Sequence, residues 1–170
     1  LNIGPADVSF LATLFTSFKS FSPAVTEVNL SMNKCFDMDS AKALADVIPK
    51  SKLQTLVIGK NCLVPVVASD VTTLDCSNQD FGPAELMLIS SVVIPVNAAM
   101  TEIRLDKNPI TGAEQNRRKN GFPWEKIDSD VTGLSALGKA MTSSTISTLS
   151  LADCHLGPVG LTTLAEFIFE

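Results

Sequence analysis

Residues 146–156 read ISTLSLADCHL, and this stretch decides the fold because four other segments share its spacing. They are VTEVNLSMNKC at 25–35, LQTLVIGKNCL at 53–63, VTTLDCSNQDF at 71–81 and MTEIRLDKNPI at 100–110. All five fit one eleven-residue frame, L-x-x-L-x-L-x-x-N/C-x-L, with an apolar residue or cysteine at every L position. A single match would carry little weight, but five matches within 170 residues indicate an internal repeat.

The middle of the frame predicts a short β-strand followed by a turn. Alternate residues such as Leu149 and Leu151 lie on one side of a strand, so we expect them to face a core. The N/C position falls in the turn, where a side-chain amide can satisfy backbone groups of its own loop and of the next. The predicted ladder of turn residues consists of Asn33, Asn61, Gln79, Asn108 and Cys154. Glutamine is longer than asparagine, so a local adjustment is expected at Gln79.

A helical pattern follows most of the predicted strands. Apolar or small residues recur at i, i+3, i+4 and i+7 in five segments, as on one face of a helix. These faces are Val8, Leu11, Ala12, Phe15; Ala41, Leu44, Ala45, Ile48; Leu86, Ile89, Ser90, Val93; Leu134, Leu137, Gly138, Met141; and Leu161, Leu164, Ala165, Ile168. Gly-Pro pairs at 4–5, 82–83 and 157–158 precede three of them, and proline suits the first helical turn. The predicted unit is therefore strand, turn, helix and return.

With this unit, the sequence resembles a leucine-rich repeat protein of the ribonuclease-inhibitor-like class, whose repeats of about 28 residues alternate a strand with a full helix. The intervals from Asn33 to Asn61 and from Gln79 to Asn108 are 28 and 29 residues. The resemblance covers nearly the whole chain and implies one α/β domain over residues 1–170, with about five to six repeats. It implies a horseshoe-shaped solenoid segment, with a parallel β-sheet on the concave face and helices on the convex face.

Two intervals depart from the repeat length. Asn61 to Gln79 is only 18 residues, so the segment 64–70, which contains Pro65, is expected to cross as an extended or single-turn link. Asn108 to Cys154 is 46 residues, which is too long for one repeat. We assign the excess to an inserted polar loop at 111–129, placed before a helix that begins near Asp130.

The resemblance implies that partners bind the concave sheet face, through side chains that lie between the buried ones. The residues selected in this way are Glu27, Asn29, Thr55, Val57, Thr73, Asp75, Glu102, Arg104, Asp106, Thr148 and Ser150. This predicted surface is polar and mildly acidic, and it lacks the aromatic anchors that protein interfaces favour. The alternative is a solvated sheet face whose main binding site lies elsewhere.

The inserted loop offers a competing binding site. Its candidate residues are Arg117, Arg118, Lys119 and Trp124, because a tryptophan beside a basic run suits an acidic protein partner. The alternative is that Trp124 and Phe122 fold back over the edge of the solenoid, while the charged side chains remain in water.

Several classes of function are not expected. A net charge of -5 with 13 basic residues gives no basic field for nucleic acid. The apolar stretch at 86–100 is interrupted by Ser90, Pro95 and Asn97, so no membrane span is predicted. His155 is the only histidine, and no nucleophile elbow or phosphate loop is present, so we predict no enzyme, no metal site and no cofactor.

The cysteines and the chain ends give expectations about context. Cys35, Cys62, Cys76 and Cys154 lack C-x-x-C spacing, which favours a reducing compartment and a cytoplasmic protein. All of them except Cys62 are interpreted as small packed thiols at positions of the frame. The chain starts on Leu1 and ends on the apolar run 167–169 followed by Glu170, which favours a fragment with neighbouring repeats or subunits at its C-terminal end.

The sequence therefore predicts a protein–protein interaction module whose partner is another protein. One alternative is a regulator of a nucleotide-hydrolysing enzyme, of the GTPase-activating type, with Arg104 or Arg117 as the residues to test. A second alternative is a structural segment of a large assembly.

Overall fold

The computed structural model describes residue 10 and residues 25–33, 36–116, 118–119, 121 and 123–168. Its strands are β1 (Glu27–Asn29), β2 (Thr55–Ile58), β3 (Cys62–Pro65), β4 (Thr73–Asp75), β5 (Glu102–Arg104), β6 (Glu114–Gln115), β7 (Trp124–Glu125) and β8 (Thr148–Ser150). Its α-helices are α1 (Met38–Val47), α2 (Pro83–Leu88), α3 (Thr132–Thr142) and α4 (Pro158–Ile168). Helix α1 ends in a 3-10 turn, Ile48–Lys50, and α2 continues through a π turn, Ile89–Val93, and a 3-10 turn, Ile94–Val96. The helix predicted at 8–15, Cys35 and Arg117 lie outside the described residues.

Strands β4, β5 and β8 form a parallel sheet in the second half of the chain. Their central residues Leu74, Ile103 and Leu149 lie side by side in register. Helix α2 connects β4 to β5, and α3 precedes β8, as parallel strands require a crossover connection. The predicted unit of strand, turn and helix is confirmed in this half.

The sheet of the first half is only partly parallel. Strand β2 pairs with β1 in parallel and with β3 in antiparallel orientation, so the prediction of a wholly parallel sheet is wrong here. The short interval leaves no room for a helix, and the chain instead reverses at Gly59, whose φ of 63° suits a glycine turn. Ile58 and Cys62 are paired across this turn. The segment 64–70 contains no helix, as predicted, but its first two residues belong to β3.

One core joins the two sheets to the helices. The inward strand residues Leu30, Ile58, Cys76 and Leu105 are buried in it, and Leu151 packs against it partly buried. These residues come from five copies of the frame, so the prediction that the repeats share one core is confirmed.

Helix α3 lies very close to both of its neighbours. A Cβ atom added at Gly133 would lie 2.2 Å from the carbonyl oxygen of Pro83, at the start of α2. One added at Gly138 would lie 2.0 Å from Cδ2 of Phe167, in α4. A side chain at Gly133 would push the backbone of α2 away, and a side chain at Gly138 would displace the ring of Phe167.

The predicted inward face of α4 is correct only in part, because Leu164 packs against the core but the two ends of the face do not. Leu161 and Ile168 are 57% and 69% exposed, whereas Gly160 and Thr163 are buried. The ring of Phe167 lies against α3, and Asp128 of the insert lies against Gly160. These two contacts orient the helix, so the stripe of larger aliphatic side chains is left at its surface.

The insert at 111–129 contains a two-stranded antiparallel hairpin. Gln115 pairs with Trp124 and Glu114 pairs with Glu125. Thr111 and Ala113, which lead into the hairpin, are buried. The segment interrupts the repeat and forms a small element of its own beside the last repeat.

Two cysteines form a disulfide, although Cys76 was predicted to be a packed thiol. Cys62 at the start of β3 is bonded to Cys76, which follows β4, with their Cα atoms 5.6 Å apart. The bond therefore links the two three-stranded sheets. The hairpin explains why sequence spacing missed it, because the chain returns to the neighbouring repeat within a sequence separation of 14 residues. Cys154 is a buried free thiol, and burial raises its pKa.

Candidate functional site

The exposed face of the β4–β5–β8 sheet brings together most of the residues selected for the concave surface. Thr73, Glu102 and Thr148 form one row in register, and Asp75, Arg104 and Ser150 form the next. The central residue of each strand points to the opposite face of the sheet and is buried or partly buried. The strands thus hold two rows of polar side chains on a packed base.

Glu102 accepts hydrogen bonds from two other residues on this face. One carboxylate oxygen accepts a bond from Nε of Arg104 at 2.7 Å, and the other accepts from Oγ1 of Thr73 at 3.2 Å. The bond to Arg104 lowers the pKa of Glu102, and Glu102 raises the pKa of Arg104. The arginine side chain is nevertheless 47% exposed, so it is positioned and still accessible.

Asp75 and Asp106 lie beside this ion pair, and hydrogen bonds to neighbouring residues hold both carboxylates in place. The backbone N–H of Ser77 donates to Asp75 at 3.0 Å, and bonding to Ser77 lowers the pKa of Asp75. Asp106 Oδ1 accepts from Oγ of Ser150 at 2.6 Å and from the N–H of Ala152 at 2.7 Å. Asp106 therefore links β5 to β8. The exposed face of this sheet thus places three carboxylates, Asp75, Glu102 and Asp106, around one arginine, Arg104.

The first sheet contributes less to the predicted surface. Glu27 and Asn29 are exposed on β1, and Thr55 is half-buried on β2. Val57 is buried at 5% exposure, so its assignment to the accessible face is wrong. Val57 lies between Asn29 of β1 and Leu63 of β3, which are its direct partners on either side, and directly opposite side chains lie on the same face close enough to cover it.

Asn108 is the most fully satisfied residue of the predicted ladder. Its side chain is completely buried, and Nδ2 donates to the carbonyl oxygens of Cys76 and Leu105, both at 2.8 Å. Its Oδ1 accepts from the N–H groups of Gln79 and Phe81 at 2.9 and 3.0 Å. One amide therefore joins two successive turns.

The other ladder positions make different bonds. Asn33 donates to the carbonyl of Leu30 at 3.0 Å within its own turn, and the thiol of Cys154 donates to the carbonyl of Leu105 at 3.1 Å. Gln79 Oε1 accepts from the backbone N–H of Asn61 at 2.8 Å. Asn61 is exposed, so its predicted role as a side-chain rung is wrong. It lies in the tight β2–β3 hairpin, which replaces the repeat's turn.

The basic candidates of the insert are partly neutralised within the hairpin. Lys119 is bonded to Glu125, and Lys126 contacts Glu114 at 3.0 Å. Bonding to Lys119 lowers the pKa of Glu125. Arg118 is exposed, with its backbone N–H bonded to Asn116 at 3.0 Å.

Trp124 folds back onto the last repeat. Its ring stacks on the imidazole of His155 with centroids 3.6 Å apart, and the residue remains 36% exposed. This is the alternative weighed for the tryptophan, in which it covers the edge of the domain. His155 therefore covers one face of the Trp124 ring, and a binding partner cannot contact that face.

Asp128 is a second attachment of the insert, and sequence reasoning missed it. Its two oxygens accept from the N–H groups of Gly157 and Val159 at 3.1 and 2.9 Å, at the start of α4. Burial raises its pKa, but the backbone bonds from Gly160 and Gly157 outweigh burial, and the pKa lies below its ordinary value. The signal in the sequence was the pair of glycines, because a Cβ at either position would collide with this carboxylate.

Within the described ranges, no group of three or more His, Cys, Asp or Glu residues is placed to hold a metal ion. No described helix is long and apolar enough to span a membrane.

Comparison with known families adds one observation to this geometry. A family model described as Leucine Rich repeat matches residues 142–165. The match supports a leucine-rich repeat in this segment of the chain. The matched segment includes β8, the turn at Cys154 and most of α4. Trp124 and Asp128 of the insert both contact this segment. No curated protein shows significant similarity to the chain.

Proposed function

We propose that this chain is a protein-interaction module that binds another protein through the exposed face of its sheets. The observation that carries the proposal is the polar cluster of Asp75, Glu102 and Arg104, whose side chains are fixed by neighbouring groups and still reach solvent. Preorganised polar groups lose little conformational entropy on binding, so they suit recognition of a partner. We propose no catalytic activity.

We further propose that the repeats form a solenoid segment of the ribonuclease-inhibitor-like class. Support comes from β4 and β5, which start 29 residues apart and are separated by a helix. Close packing of α3 between α2 and α4 also fits a stacked array. The antiparallel strand β3 is the departure from this plan.

The test is affinity capture from a native extract, using Arg104→Glu and Arg118→Glu as a matched pair. Both arginines are exposed, but only Arg104 lies on the proposed face. We expect R104E to lose the captured partner, with a weakening of about 1 to 3 kcal/mol, while R118E retains it. Point substitutions are preferable to deleting 111–129, because that deletion would also remove Asp128 from α4. Loss with R118E alone would move the site to the insert.

The regulatory alternative depends on a free arginine side chain. The Nε atom of Arg104 is bonded to Glu102, so insertion into a partner's site would require breaking this ion pair. If an identified partner is a GTPase, its hydrolysis rate should be the same with the Arg104→Ala variant as with the unmodified protein. A lower rate with the variant would favour the regulatory role.

The disulfide also bears on where the protein works. Disulfides persist in oxidising compartments, so the Cys62–Cys76 bond argues against the cytoplasmic location expected from sequence. Alkylation of the protein from its native source under denaturing conditions, before and after reduction, tests this inference. We expect both cysteines to be labelled only after reduction.

A further inference from the structure

We infer that Asn29 is an N-glycosylation site, whose side-chain amide carries an oligosaccharide. This modification goes beyond the proposed binding function and does not depend on it. Three features of the molecule support the site: the sequence that follows Asn29, the exposed and unengaged amide nitrogen, and the disulfide between the two sheets.

The residues Asn29, Leu30 and Ser31 form the pattern Asn-x-Ser, in which x is not proline. This pattern is the acceptor sequence for the attachment of an oligosaccharide to asparagine. Among the asparagines of the chain, only Asn29 is followed by serine or threonine two residues later. Because so short a pattern also occurs by chance, its surroundings in the fold decide whether it can be used.

Asn29 lies where a modifying enzyme can reach it. It is the last residue of β1, directly before a turn at 31–32, and its side chain is exposed. Glu27 and Asn29 are exposed and Val28 between them is half-buried, so Asn29 stands on the outer face of the sheet. A further strand would pair along the edge of β1 and would leave this face open. Surface positions of this kind are where N-linked sugars occur.

The amide of Asn29 is oriented by one hydrogen bond, and its nitrogen is left available. Oδ1 of Asn29 accepts from the backbone N–H of Ser31 at 2.9 Å, which closes an Asx turn. In the part of the chain that the structure describes, neither Asn29 Nδ2 nor the Ser31 hydroxyl makes a hydrogen bond. At Asn108, in contrast, backbone groups occupy both ends of a buried amide. Asn29 is therefore suited to modification, whereas Asn108 is suited to holding turns together.

The Cys62–Cys76 disulfide is an independent reason to expect glycosylation. Disulfides form and persist in the lumen of the endoplasmic reticulum and outside the cell. N-linked oligosaccharides are likewise a modification of secreted proteins. The bonded cysteines and the acceptor pattern lie on different strands, and neither feature requires the other. Their common occurrence in one chain is what a secretory route would produce.

The modification requires a lipid-linked oligosaccharide diphosphate as the donor. Nδ2 of Asn29 forms a bond to the anomeric carbon of the first sugar, while the bond from that carbon to the diphosphate oxygen breaks. The lipid diphosphate leaves, and Nδ2 loses one proton to a base of the transferring enzyme. The sugar then covers β1, whereas Asp75 and Arg104 on β4 and β5 stay accessible to a protein partner.

The first experiment uses the protein from its native source. It is treated with peptide N-glycosidase in heavy-oxygen water, which converts a glycosylated asparagine to a labelled aspartate, and its peptides are sequenced by mass spectrometry. We expect the label at residue 29 and none at Asn61, which is also exposed but is followed by Leu63 two residues later. A sample without the enzyme controls for spontaneous deamidation. An intact, unlabelled Asn29 would overturn the proposal, even if the disulfide is present.

Variants secreted from a eukaryotic host separate the acceptor pattern from the fold. Ser31→Ala removes the hydroxyl but keeps the backbone N–H that bonds Asn29, so circular dichroism and the thermal midpoint should be unchanged. S31A and Asn29→Gln should each lose all glycosidase-sensitive mass, whereas Ser31→Thr should keep it because threonine also completes the pattern. Sugar that persists in S31A or N29Q would place the attachment elsewhere and contradict the proposal.

Discussion

The two three-stranded sheets are built from copies of the same eleven-residue frame, but their strands connect differently. Between β4 and β5, the frame recurs after 29 residues and a helix fits between the strands. Between β2 and β4 the interval is 18 residues, and an extra strand, β3, turns back along β2. The spacing between the frames, as well as the frame itself, determines whether a copy becomes a full repeat.

The turns of the two regions differ for the same reason. Asn108 ends a strand that continues into another repeat, and its amide is buried between two backbone segments. Asn61 ends a strand that reverses at once, and its side chain is exposed. We therefore expect identical residues at identical frame positions to contribute very differently to stability.

The largest expected effect contrasts these two asparagines. Asn108→Ala leaves two N–H groups and two carbonyls without their buried partner, which we expect to cost about 4 kcal/mol of unfolding free energy. Asn61→Ala should cost less than about 0.5 kcal/mol. Urea unfolding of both variants measures the difference. Similar losses would mean that the amide is not what holds the turns together.

The next effect concerns the bond between the two sheets. The Cys62→Ala/Cys76→Ala double variant should lose about 3 kcal/mol, because the disulfide restricts the unfolded chain across a 14-residue separation. A reductant should produce a similar loss in the unmodified protein and none in the double variant. Denaturation with and without reductant tests this, and Cys154→Ala is the control that should keep its response. A double variant that is still sensitive to reductant would contradict the prediction.

A smaller effect is expected where the insert contacts the last repeat. Asp128→Asn should cost about 1 kcal/mol near neutral pH, because a carboxylate at a helix start is lost. The folded pKa of Asp128 is lowered, so its contribution is present above the unfolded pKa of about 3.9 and disappears as pH falls through the folded pKa. Unfolding measured from neutral to acidic pH should show the two proteins converging. Asp70→Asn, at an exposed loop position, should show no such difference.

The smallest effect concerns the ring contact of the insert. His155→Ala removes the imidazole stacked on Trp124, which we expect to cost about 0.5 to 1 kcal/mol. Trp124 is the only tryptophan, so its fluorescence reports this site directly. Its emission should shift to longer wavelength as the ring gains water contact. An unchanged spectrum would show that the stack does not shield the ring in solution.

Sequence patterns predicted those parts of the molecule that depend on local periodicity. The inward strand residues and the faces of α1 and α3 follow from spacing alone, because burial repeats with the geometry of a strand or helix. Three features depend on contacts between distant segments instead: the Cys62–Cys76 bond, the Asp128 cap and the rotation of α4. No local pattern encodes them, although the glycines at 157 and 160 marked the place of one.

The glycines of α3 have a consequence for the shape of the binding face. Adjacent strands lie about 4.8 Å apart, whereas packed helices usually need about 8 to 10 Å, and this mismatch bends a layered array toward its strands. Gly133 reduces the spacing between α3 and α2, and Gly138 makes room for the ring of Phe167 against α3. The arc through β4, β5 and β8 should therefore be shallow, and a shallow arc suits a broad, gently rounded binding partner better than a narrow peptide.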